Sequence, residues 1–180
     1  LISDGIITEI SDKHIAEAAD RVLDAGGNYI SPGFIDIHVH GGGGSDFMDA
    51  TVHDFLTIAA THLQYGTTAM VPTTLTAEKE DLIHTLDVYS KANAVNKAGA
   101  QFMGMHIEGP YLAMSQRGAQ DPKYIRNPDK KEYSEIIEKF GTVIARWSAA
   151  PELEGAMEFG RCLQEHNILP AMAHTDAVYD

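Results

Sequence analysis

Five short apolar runs recur along the chain, centred near Ile35, Ala69, Gly104, Ile144 and Ala171, and helical patterns over 50–64, 78–97, 129–140 and 153–166 lie between them. Each run-and-helix step takes about 25 to 40 residues, the length of a βαβ unit. Strands joined through helices re-enter the sheet from the same end, so they lie parallel. The expected class is therefore α/β with a parallel sheet over 33–180. Two architectures fit: an open doubly wound sheet, or part of a TIM-type (β/α)8 barrel. The polar residues favour the barrel. They gather where the runs end, at His38 and His40, Thr73 and Thr74, Glu108, Ser148, and His174 to Asp176. In a barrel the carboxyl ends of all strands open on one face and build one site. About five strands cannot close a barrel and leave two unpaired edges. The remaining strands are thus expected outside these 180 residues, and the 180-mer made alone is expected to aggregate or fold only in part.

Ahead of this pattern, "LISDGIITEI" reads as two strands turning at Asp4-Gly5, a hairpin signal. Residues 14–25 are weakly helical or irregular, and "NYISPGF" reads as a short strand that closes in a turn at Pro32-Gly33.

Composition excludes several classes. The 26 acidic and 13 basic side chains give a formal charge of -13, which argues against nucleic acid or an anionic membrane surface as partner. A small anionic substrate stays open, because a few local cations override an average. No apolar stretch is long enough for a bilayer and no basic-then-apolar leader opens the chain. The single cysteine, Cys162, forms no internal disulfide and reads as a half-buried thiol on a helix. A reducing, cytoplasmic setting is the expectation.

The chemistry concentrates in a few residues. His38 and His40 are two apart on a strand and so point to one side, close enough to share a metal ion. Asp36 lies on that side one step deeper, where it either orients a ligand or satisfies nearby polar groups. A histidine pair alone also suits two ordinary hydrogen-bonded side chains. The run Gly41 to Gly44 that follows completes neither GxxxxGK[ST] nor GxGxxG. It suits a chain that bends sharply away from a metal centre, or a plain surface loop. Glu108 ends an apolar strand, where a carboxylate is costly unless a cation meets it. His106 stands one layer deeper, as a support for that site or as a packed core histidine. His174 repeats the pattern of an apolar strand ending in an imidazole. Together His38, His40, Glu108 and His174 offer nitrogen and oxygen donors without thiolate. That set suits one or two divalent ions, zinc foremost and iron, cobalt or manganese as alternatives.

The segments "SPGFIDIHVHG", "GTTAMVPTT", "HIEGPYL" with "RGAQDPKYIR", "APE" and "AHTDA" resemble the N-acetylglucosamine-6-phosphate deacetylases of the amidohydrolase superfamily over essentially the whole chain. The resemblance implies a metal-bearing (β/α)8 barrel with a small β-sandwich domain, to which residues 1–32 contribute, and an incomplete hydrolase barrel over 33–180. It implies that Glu108 and His174 are metal ligands and that His38 and His40 serve members with a second ion. A further ligand histidine and the catalytic aspartate, the general base, are expected beyond Asp180. No catalytic residue is therefore assigned within these 180 residues, and Asp176 is not the match of that aspartate. Gln120 stands where many members carry a histidine that holds the substrate's acetamido group. Gln120 and Gly109 are therefore expected beside the substrate. The implied reaction is hydrolysis of N-acetylglucosamine 6-phosphate to glucosamine 6-phosphate and acetate, by a homodimer. Its competitors are another amidohydrolase acting on cyclic amides and a sugar-phosphate binding protein without turnover.

Overall fold

An apolar run becomes a strand only where a neighbour completes its backbone hydrogen bonds. The computed structural model describes residues 1–179. Asp180 lies outside the described residues, and so does the general-base aspartate expected beyond Asp180. The chain divides into two compact units, Leu1–Pro32 and the residues from Gly33 onward. In the first, β1 (Ile2–Ser3) and β2 (Ile6–Ile7) pair antiparallel, Ile2 opposite Ile7. Asp4 and Gly5 turn the chain at φ +52° and +78°, the left-handed pair that a two-residue hairpin turn needs. The short strand expected before Pro32 does not form, and strand structure begins only at Phe34, after the Pro32-Gly33 segment. Pro32 has no N–H for a ladder, and Tyr29 and Ile30 are largely exposed. They have no sheet partner among the described residues.

The second unit opens with β3 (Phe34–Val39). The glycine run then folds back at once as a small antiparallel hairpin, β4 (Gly41–Gly42) with β5 (Ser45–Asp46). Gly43 and Gly44 turn it at φ +64° and +86°, and a Cβ on Gly43 would lie 2.3 Å from Thr61 Oγ1. The four glycines thus serve a tight turn laid against a helix. After it come α1 (Val52–Gln64), β6 (Thr67–Pro72), α2 (Lys79–Val95), β7 (Gln101–Phe102) and β8 (Met105–Glu108). Then follow α3 (Lys130–Phe140), β9 (Ile144–Ala149), α4 (Ala156–Glu165) and β10 (Leu169–Met172). Thr51 Oγ1 caps α1 by accepting from the Asp54 N–H, and Asp129 caps α3 by accepting from the Glu132 N–H. Each cap is worth about 1 kcal/mol.

The strand expected near Gly104 is two strands. Gly104 interrupts it at φ +106°, and a Cβ there would sit 2.7 Å from that of Ala145. As a result β3, β6 and β7 form one parallel sheet and β8, β9 and β10 another. A parallel bridge between Thr73 and His106 joins them. Strand order follows chain order throughout, without the reversal that marks a doubly wound sheet. Among the described residues β3 and β10 each pair on one side only, and Phe34, Ile35, Ile37, Leu169 and Met172 on these strands are exposed. Among the described residues no helix is long and apolar enough to cross a membrane.

Two aromatic clusters fill the space between strands and helices. Phe47, Phe55, Tyr89 and Phe102 form one, and Tyr111, Tyr133, Trp147 and Phe159 the other. Trp147 is fully buried and donates from Nε1 to the Gly109 carbonyl at 2.9 Å. The second cluster therefore anchors the peptide that follows Glu108.

Candidate metal centre

Because the strands are parallel, their carboxyl ends lie together, and each brings polar side chains to one place. His38 comes from β3, His40 from one residue past it, Glu108 from the last position of β8, and His174 from just beyond β10. Glu108 is the centre. Its Oε1 lies 3.5 Å from His38 Nε2 and 3.4 Å from His174 Nε2, and its Oε2 lies 3.3 Å from His40 Nε2. The two Nε2 atoms of His38 and His40 are 3.1 Å apart. One ligand atom each from His38, His40 and Glu108 falls within 4.8 Å of the others; His174 joins through Glu108.

Backbone carbonyls set the ring orientations. His40 Nδ1 faces the Thr73 carbonyl at 3.2 Å, and His174 Nδ1 faces that of Gln116 at 2.7 Å. A carbonyl oxygen only accepts, so each Nδ1 carries the proton and each neutral ring presents an Nε2 lone pair. Those lone pairs face a carboxylate that is itself all lone pairs. Such an arrangement repels itself unless a cation enters it. A proton is one answer: the hydrogen bond to Glu108 raises the pKa of His40, against the opposing effect of burial. Burial pushes Glu108 up, but the hydrogen bond from His40 and the charges of His38, His40 and His174 outweigh it and hold the carboxyl below its ordinary value. His38 is lowered, mainly by burial, although Glu108 pulls it the other way. A proton on His40 relieves one contact, whereas a divalent ion among His38, His40 and Glu108 would relieve several at once. His38, His40 and Glu108, nitrogen and oxygen donors without thiolate, thus form a group that could hold a divalent metal ion, with His174 against the same carboxylate.

His174 reaches the centre from a left-handed backbone, φ +49°, a conformation that costs a non-glycine residue on the order of 1 kcal/mol or more. Its neighbours hold it there. The Ala113 N–H donates to the His174 carbonyl at 2.9 Å. Glu152 accepts from Thr175 Oγ1 and from the Asp176 N–H at 2.7 Å. Asp176 is engaged by Ser115 and Gln116 and stays outside the donor set.

The remaining candidates lie around the centre. Gln120 is buried and donates from Nε2 to Glu108 Oε2 at 2.8 Å. Gly109 lies against Thr76, whose Cγ2 would be 2.4 Å from a Cβ at that position. Asp36 turns to its own strand and accepts from the His38 N–H at 3.0 Å. His106 is buried, its ring edge-on to that of His38 with centroids 5.0 Å apart, and has polar partners of its own. Its Nδ1 accepts from Arg146 Nη2 at 2.8 Å and its Nε2 donates to Ser148 Oγ at 2.6 Å. Burial, followed by the Arg146 charge, lowers its pKa to about 3, so the ring is neutral.

Two residues of this region escape the sequence reading. Arg146 sits opposite His106 in the β8–β9 register and also donates to the Ile37 carbonyl at 2.9 Å. Its position two before Ser148 in an apolar strand was the available signal, since alternate residues share a face. Thr76 binds Gln120 through both its N–H and its hydroxyl, and no local pattern marks it.

The chain is similar to several known proteins. The N-acetylglucosamine-6-phosphate deacetylase of Bacillus subtilis (strain 168) is 32% identical over 180 residues, covering 98% of this chain and 46% of that protein. The N-acetylgalactosamine-6-phosphate deacetylase of Escherichia coli O157:H7 is 29% identical over 178 residues, with 99% and 46% coverage. A mutant N-acetyl-D-glucosamine-6-phosphate deacetylase from Mycobacterium smegmatis, solved in complex with N-acetyl-D-glucosamine-6-phosphate, superposes with a TM-score of 0.76 at 33% identity. That match covers 83% of this chain and 38% of the other. The chain spans about half the length of the curated relatives it matches. The pattern that defines the amidohydrolase family matches residues 29–158, well over half of the sequence, and the chain belongs to that family.

Proposed function

We propose that the protein is a metal-dependent deacetylase that hydrolyses N-acetylglucosamine 6-phosphate to glucosamine 6-phosphate and acetate. The observation that carries this reading is the convergence of imidazole lone pairs on the buried Glu108, in a chain similar to deacetylases of that name. His38, His40, Glu108 and His174 would hold one or two divalent ions, zinc foremost. Such an ion lowers the pKa of a water molecule and polarises an amide carbonyl. The chain's own part is to prepare that place. The Thr73 and Gln116 carbonyls hold His40 and His174 in the tautomer that offers Nε2. Gln120 and Gly109 border the carboxylate on the side proposed for the acetamido group. Among the described residues none is assigned the proton transfer to the leaving amine; in this reading that task falls to an aspartate beyond Asp180.

In this reading the sequential parallel strands are the first five of a (β/α)8 barrel, and residues 1–32 are part of a small β-sandwich domain. Strand order without reversal supports the first statement. The protein would act as a homodimer in the cytoplasm, on a small amino-sugar phosphate and not on nucleic acid or membrane, in keeping with its charge of -13.

The test is acetate release by the full-length protein, metal-loaded and chelator-stripped, from N-acetylglucosamine 6-phosphate and from its galactose epimer. Release that requires metal and favours the glucose form is the expected outcome. Preference for the galactose form would move the assignment to the activity named for the E. coli O157:H7 relative. No release from either would end it.

A further inference from the structure

The Glu108 carboxylate is held by more than imidazoles. Gln120 lies in the loop after β8 with its side chain buried. Its Oε1 accepts from the Thr76 N–H at 2.8 Å and from Thr76 Oγ1 at 3.0 Å, and its Nε2 donates to Glu108 Oε2 at 2.8 Å. The orientation of the amide is therefore determined. A backbone N–H only donates, so the amide oxygen must face Thr76 and the NH2 must face Glu108. The loop fixes the other end, since the Gln120 N–H donates to the Arg117 carbonyl at 3.0 Å.

This bond makes the two carboxylate oxygens unequal. Oε2 carries the Gln120 donor together with the His40 contact, while Oε1 meets His38 and His174. We infer that Gln120 is a positioning residue: it clamps Glu108 Oε2 so that the carboxylate presents a set orientation to the cation, and Thr76 holds the clamp. The inference rests on the metal reading proposed above. It also gives Gly109 a reason. Thr76 Cγ2 occupies the space that a side chain at position 109 would need, so Gly109 lets Thr76 sit where it can hold Gln120. A glutamine that serves only the substrate would have no need of both Thr76 donors.

The experiment uses the full-length protein with zinc and with cobalt(II). Metal dissociation constants are measured by competition with a chromophoric chelator, cobalt geometry by its visible absorption, and kcat and KM at saturating metal. Gln120→Leu should weaken metal binding about 10–100-fold, the range typical of a lost outer partner, and alter the cobalt spectrum. Thr76→Val, which keeps the backbone N–H, should move the dissociation constant the same way by a smaller factor. Gln120→His, with one ring donor and one ring acceptor, should retain most of the wild-type affinity. An unchanged metal constant in Gln120→Leu with raised KM would overturn the inference in favour of a substrate contact. An unchanged metal constant with only a lower melting temperature would overturn it in favour of packing. A wild-type protein that takes up no metal would sink the metal reading itself, and this inference with it.

Discussion

His106 and Glu108 stand two residues apart on β8 and are both buried, yet their surroundings differ in kind. His106 ends in a closed circle. Arg146 donates to one nitrogen, Ser148 accepts from the other, and Thr73 lies 3.4 Å from Nδ1. Every polar atom of that ring has a partner of the opposite type. Glu108 accepts from Gln120 and otherwise faces three imidazole Nε2 atoms, two of them, on His40 and His174, in rings whose Nδ1 is turned to a backbone carbonyl. The difference separates a packed polar residue from a site. Burial alone does not distinguish them; the sum of donors and acceptors around each does.

The comparison can be broken in several places. The largest effect is expected from Glu108→Gln, which keeps the shape and removes the charge. Metal occupancy should vanish and turnover should fall by more than about 100-fold, beyond the loss typical of an outer partner. Elemental analysis beside acetate release checks it, and retained metal would mean that Glu108 is a packed residue after all. Metal removal comes next. At an ion concentration about 100 times its dissociation constant, binding stabilises by about 2.7 kcal/mol, so a chelator should lower the melting temperature measurably. A flat melting curve would remove the cation from the comparison.

Replacing His106 by Leu should cost about 1–3 kcal/mol in denaturant unfolding, because Arg146 and Ser148 lose a buried partner. Metal affinity should change less than in Glu108→Gln, and a loss as large would mean that the His38 ring depends on the His106 ring it packs against. The smallest effect is a pH slope. Folded His106 stays neutral down to about 3, whereas the unfolded chain takes up a proton near the ordinary value of about 6.5. Stability from this group is therefore full above about 6.5 and is lost as pH falls toward 3, by at most about 1.4 kcal/mol per pH unit. Unfolding of metal-free protein at pH 7 and pH 6 should show a steeper drop for wild type than for the His106→Leu variant.

Much of the fold was legible in the sequence. The four helices fall within a few residues of the spans read from apolar periodicity, since that period reports one face of each helix. The strand-end positions of His38, Glu108 and His174 were legible for the same reason, as polar residues that stop apolar runs. The break at Gly104 was not, because it depends on how closely Ala145 approaches. Tyr29 and Ile30 are residue types that favour a strand, but they have no sheet partner among the described residues. Thr76 and Gln120 are 44 residues apart, and nothing local in either segment foretells their bond.

What the order of amino acids determined by itself was the alternation of strand and helix, the parallel sheet that follows from it, and the residue types that reach the strand ends. These are local properties, set by the side-chain period and the length of each βαβ step. The folded chain alone decided which oxygen of Glu108 meets which imidazole, which ring nitrogen keeps its proton, and why His106 is satisfied where Glu108 is not. Hydrogen bonds fall off over tenths of an ångström, and such distances between remote segments exist only once the chain has packed.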